Sequence, residues 1–299
     1  MLALVVLIAV LTMPFLAAGQ EGPPPKFDAT PKSIDAPPPS IDTRPKSLDA
    51  GLVDKATQDA AAAVRAHNFA DALAACDRGL RLAPKDSALH YYKSAALRER
   101  GVQSWNAGDK NKDENLKNEA RADWAAVLGV ADEALANLPQ APAANEMRYR
   151  FVREKAEARY FLAHTSGIAR ADAMAALDAA VVAAGEKGPL PNRRSELAKL
   201  KLYKANVLVD SASVADATEA RALFREVLEL DPKEFDAMVG MSTACIIALD
   251  WTASAAKLKR GAQACTQEAL AFRAQVPPTD PRSARLQQLM DALQTVDKK

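Results

Sequence analysis

The side chains that carry most enzyme chemistry are scarce in this sequence. There are three histidines, His67, His90 and His164, and three cysteines, Cys76, Cys245 and Cys265, in 299 residues. They are scattered, so neither a zinc-type His pair nor a Cys-x-x-Cys pair forms. No phosphate-cradling glycine loop and no nucleophile motif occurs. Carboxylates are plentiful, but an acid–base pair needs a second constellation to single it out from charged helix surface. One stretch matches a calcium loop in part: Asp109, Asn111 and Asp113 alternate, with Leu116 at the eighth position. Glu114 then stands where the sharp turn needs glycine, and Ala120 where a bidentate Glu should close the site, so a solvated loop is expected. No catalytic residue, cofactor or metal site is expected, and the chain reads as a non-enzyme. With a helical turn near Asp250, Cys245 faces residue 256, and Cys265 lies on the order of 13 Å further along its helix. A disulfide needs Cα atoms within about 7 Å. Free thiols, mostly filling the core, are predicted.

The elements that would position a site are helical. The chain is 49% hydrophobic and 26% charged, which excludes a disordered protein. Its net charge of +1 gives no whole-molecule attraction to nucleic acid or to an acidic membrane. Residues 1–19 form an uncharged apolar run broken by Pro14 and followed by small residues Ala17, Ala18 and Gly19. That is the pattern of a signal peptide or an N-terminal anchor, without the usual basic start. The expected location is exported, periplasmic or otherwise extracytoplasmic, with membrane contact only through this segment.

Residues 20–51 read as a linker with a step of seven. Pro24, Pro31, Pro38 and Pro45 keep it, as do Asp28, Asp35, Asp42 and Asp49, and Ser33, Ser40 and Ser47. Proline in every unit forbids a coiled coil, so an extended polyproline-like spacer is predicted. Presentation of Ser-Ile/Leu-Asp to a partner is the alternative use.

Residues 52–299 are alanine-rich with helical spacing. Residues 67–84 and 217–232 each form an amphipathic segment ending at a proline, Pro84 and Pro232, which stops the helix. A small residue follows each proline ten positions on, Ser94 and Ser242. A second pattern recurs: a small residue, a bulkier one four later, then a small one three later. It appears as Ala72, Cys76, Gly79; Val127, Ala131, Ala134; Ala173, Leu177, Ala180; Ala220, Phe224, Val227; and Ser254, Leu258, Gly261. The spacing places each triad on one helix face. These segments resemble the second helix of the tetratricopeptide repeat, with Asp59 and Lys93 standing where that family usually carries apolar residues.

The resemblance implies an all-α fold: a right-handed α-solenoid of five helical hairpins, roughly 52–82, 86–138, 143–184, 192–231 and 234–274. A capping helix at 281–297 covers the last hairpin. It also implies function: a non-catalytic scaffold that binds a protein or peptide in its concave groove. Carried onto this chain, the groove slots hold Asp54, Thr57 and Arg65; Tyr91, Arg98 and Glu99; Lys155 and Arg159; Lys199 and Asn206; then Val239, Thr243, Ile246 and Ile247. Tyr91, Arg98, Lys155, Arg159, Lys199 and Asn206 are the expected partner-binding residues. The last slots are apolar, which suits either a hydrophobic contact or burial under the final helix. A passive envelope spacer and an α-helical enzyme with a site in the groove are the alternatives.

Overall fold

The structure, a computed structural model, describes residues 48–166, 170–185 and 192–297; the 1–19 segment and nearly all of the linker lie outside them. The described residues are helical, with no strand among them. In chain order the helices are α1 (Leu48–Arg65), α2 (Phe69–Leu82), α3 (Ser87–Asn111), α4 (Glu114–Asn137), α5 (Asn145–Ser166), α6 (Arg170–Gly185), α7 (Arg193–Val209), α8 (Val214–Leu230), α9 (Phe235–Ile247), α10 (Ala255–Arg273) and α11 (Pro281–Asp297). A short 3-10 turn, Pro142–Ala144, precedes α5. None of these helices is long and apolar enough to cross a membrane.

Local chemistry sets the helix ends. Asn68, Asp86, Asp113 and Ser213 accept from backbone N–H groups of the first turns of α2, α3, α4 and α8, satisfying donors that a helix start leaves open. Helix α1 begins at Leu48, inside the last seven-residue unit of the expected linker. Pro45 is the last proline before it, so nothing beyond that point opposes a helix.

The helices fall into two compact units, divided at Pro191/Asn192. In the first, each of α1 to α6 packs on the next, and α1–α3 and α3–α5 also touch. In the second, α7 to α11 pack in the same successive way, with further contacts of α7 to α9 and of α9 to α11. Cores are alanine-rich because the helices approach closely. Four of the five triads are fully buried on α2, α4, α6 and α8. Bulky residues at these helix contacts sit directly against glycine. A Cβ on Gly79 would stand 2.5 Å from Leu89 Cδ1, and one on Gly101 2.5 Å from Trp124 Nε1. Gly240 meets the Phe224 ring in the same way. Asp59 and Lys93 do not disturb this packing: Asp59 pairs with Lys55, and Lys93 donates to Asp77 at 2.7 Å.

Three expectations are corrected. The stretch 109–116, expected as a solvated loop, is mostly helix. It lengthens α3 and α4, which meet at a tight turn with Lys112 at φ 55°. Asp113, the would-be calcium ligand, instead caps α4 by accepting from Asn115 N at 2.9 Å. Trp105 of α3 lies against Trp124, with ring centroids 5.9 Å apart, and Lys117 and Arg121 lie over its face.

The fifth triad is displaced by about two helical turns. Ser254 is exposed just before α10, and the buried residues there are Ala262, Cys265 and Ala269. Seven residues, 248–254, separate α9 from α10, and Asp250 stiffens this connection by accepting from Thr252 N and Oγ1. The same shift overturns the expectation of free thiols for two of the cysteines. With α10 starting at Ala255, Leu249 packs on Gly261, and Cys245 lies opposite Cys265. Their Cα atoms are 5.8 Å apart and they form a disulfide. Cys76 remains a free, buried thiol.

The glycine contacts yield a paired test. Gly240→Ala should cost about 1–3 kcal/mol, since Phe224 is fully buried and has no room to retreat. Gly129→Ala should stabilise by about 0.5–1 kcal/mol, because a Cβ there meets nothing and the residue is mid-helix. Urea unfolding of the full chain, read by helical circular dichroism, checks both.

Candidate functional site

The densest polar chemistry lies between α3 and α5. Arg98 and Glu99 come from α3, and Arg153, Glu154 and Glu157 from α5. All five side chains are at most 7% exposed. Two arginines and two glutamates close a ring of alternating charge. Arg98 Nε donates to Glu154 Oε2 at 2.8 Å, and Arg153 Nη2 donates to Glu154 Oε1 at 3.0 Å. Arg153 Nε lies 3.6 Å from Glu157 Oε1, and Arg98 Nη1 lies 3.1 Å from Glu157 Oε2. Glu99 sits outside the ring and accepts from Arg98 Nη1 at 2.6 Å.

The electrostatics follow from burial. Desolvation pushes the Arg98 guanidinium down, but Glu154, Glu157 and Glu99 together push it well above its usual range. Arg98 is therefore permanently charged and is no proton donor at ordinary pH. The ring sets opposite charges against one another across two helices, so its chemistry is positional: it joins α3 to α5. The indole of Trp124 adds α4 by donating to the Arg98 carbonyl at 3.2 Å. Gly101 makes that approach possible.

The expected partner-binding residues separate into two groups. Tyr91 and Arg98 are buried, at 1% and 4% exposure. The tetratricopeptide resemblance implies that both face a groove, but close packing of α3 on α5 takes them inside. Tyr91 lies against Phe151 and under the Arg150 guanidinium, with Arg153 Nη2 at 3.5 Å from its hydroxyl. Lys155, Arg159, Lys199 and Asn206 are half-buried. Lys155 pairs with Asp132, Arg159 reaches the Asp172 carbonyl, and Lys199 lies over the Tyr203 ring. Of the apolar slots, Ile246 packs with Leu289 and Leu293 of α11, and Val239 packs with these and with Leu286 and Met290. Burial under the final helix accounts for both.

Among the other candidates, His90 is buried and holds the Asp86 carbonyl through Nδ1 at 2.8 Å. His164 stacks on Tyr160. Burial pushes the Cys76 thiol up to about 12, which leaves almost no thiolate at neutral pH. No group of His, Cys, Asp or Glu that could hold a metal occurs among the described residues. The ring carries no motif in sequence. Its one signal is charge inside the buried face of a helix: Arg150, Arg153, Glu154 and Glu157 occupy positions that periodicity would fill with apolar residues.

Opening the ring leaves a buried charge unopposed. Glu154→Gln should cost about 3–5 kcal/mol. Glu99→Gln, which leaves the ring closed, should cost about 1 kcal/mol. Equal losses in urea unfolding would show that the ring has no special weight. Compared with models of known protein families and with curated proteins, the chain matches none.

Proposed function

We propose that this chain is an exported, non-catalytic adaptor, a tetratricopeptide-like right-handed solenoid of five helical hairpins capped by α11, which binds a protein or peptide along a concave face. The observation that carries this reading is the recurrence of one packing solution. On α2, α4, α6 and α8 the same small–large–small face is buried, and alternate helices touch within each unit. Helix pairs that repeat one packing face build an extended surface, and such surfaces bind other chains.

The Cys245–Cys265 disulfide supports the export reading, because disulfides persist in oxidising compartments. The uncharged apolar start of the sequence agrees with it. With Tyr91 and Arg98 packed inside, the contacts fall to Lys155, Arg159, Lys199 and Asn206. Part-exposed ion pairs such as Lys155–Asp132 contribute little to stability and so exchange readily for a partner's carboxylates.

The test is capture of partners by the full chain and by a Lys155→Glu, Arg159→Glu, Lys199→Glu variant, compared by quantitative mass spectrometry. Specific partners should drop at least about tenfold on the variant, as expected when interface charges are reversed. Unchanged capture of every partner would overturn this surface.

A further inference from the structure

We propose that α11 is the lid of a buried cystine, so that the Cys245–Cys265 bond and the docking of α11 are coupled. Reduction proceeds only when α11 lifts, and the reduced chain holds α11 more loosely. The geometry is direct. Cys245 lies on α9 and Cys265 on α10, and they are 6% and 2% exposed. Leu289 and Leu293 of α11 belong to the same buried cluster as both cysteines, with Ile246, Leu249 and Ala262. One turn back, Leu286 and Met290 pack with Met238 of α9, and with Ala269 and Val276. At its start α11 is pinned from outside: Arg282 pairs with Asp236 at 3.2 Å and lies over the Phe235 ring.

A reductant must bring its sulfur in line with the bond, and that path is closed while α11 is seated. A dithiol reductant attacks as a thiolate, forming a mixed disulfide with one cysteine and releasing the other. Its second thiol then displaces the first cysteine. The cystine gains two electrons and two protons, and the dithiol becomes a disulfide. The two thiols produced need more room than the bond they replace, since non-bonded sulfurs repel at bonding distance. The layer of Leu289 and Leu293 must give way, because well-packed cores resist added volume. By reciprocity, whatever lifts α11 also exposes the bond. Cys76 does not short-circuit the exchange: it belongs to a separate core cluster, in the other unit.

The experiment uses the oxidised full chain and dithiothreitol at mildly alkaline pH. Aliquots are unfolded and alkylated, and labelled cysteines are counted by intact mass. Native protein should be reduced at least about 100-fold more slowly than the same chain in concentrated urea, as a step gated by local opening requires. Leu289→Ala should accelerate native reduction about tenfold or more. Should that variant lose its helical circular dichroism, Arg282→Ala, which loosens α11 from the surface, takes its place with the same expectation. In the reverse direction, trypsin cleavage at Arg282 and Arg285 should be about tenfold faster in a Cys245→Ser, Cys265→Ser chain than in the oxidised wild type. Native reduction within about threefold of the urea rate, no acceleration in the folded lid variant, or equal cleavage rates would each overturn the coupling.

Discussion

Two helices approach closely only where one of them offers almost no side chain, and this constraint governs both units. Gly79 under Leu89, Gly101 under Trp124 and Gly240 under Phe224 are three instances of one solution. The bulky partner then fills the space that a second bulky residue would have kept open. Alanine at Ala72, Ala134, Ala180 and Ala220, each at most 2% exposed, extends the same solution along α2, α4, α6 and α8. Because dispersion falls off steeply with separation, such contacts reward closeness more than size. A core built this way needs few aromatic residues, consistent with the 5% in this chain.

Close approach also explains the charges inside the first unit. When α3 and α5 meet, Arg98, Arg153, Glu154 and Glu157 lose their water together. Each lies within ion-pair distance of two oppositely charged neighbours around a closed ring. Isolated buried pairs are poor stabilisers, whereas an incomplete network costs several kcal/mol, about 3–5 on removing one partner. Such a ring fixes the alignment of the two helices more strictly than apolar packing, which tolerates sliding. The same approach takes Tyr91 and Arg98 of α3 inside, while Lys155 and Arg159 stay half-buried on α5.

Much of the fold was legible in the sequence. Pro84 and Pro232 end helices, and the buried triads on α2, α4, α6 and α8 lie where the spacing places them. These features are local: they depend on φ constraints and on which face of a single helix is apolar. The same logic failed at 109–116, where a polar stretch reads as loop but is mostly helix. Caps at Asp113 and a two-residue turn decide that, and hydropathy does not register them. It failed again at Ser254, where the pattern matches about two turns too early.

The sequence by itself determined that the described residues are helical, that helices stop before Pro84 and Pro232, and which faces of α2, α4, α6 and α8 are apolar, because these follow from short-range spacing. Tertiary structure alone decided that Cys245 meets Cys265 and that α3 and α5 share a ring of charge. Pairing across a connection depends on how many residues the connection takes out of helix. Moving the start of α10 by five residues displaces it about 7.5 Å along the axis. That closes more than half of the roughly 13 Å expected between the two thiols, and no periodicity within either helix records it.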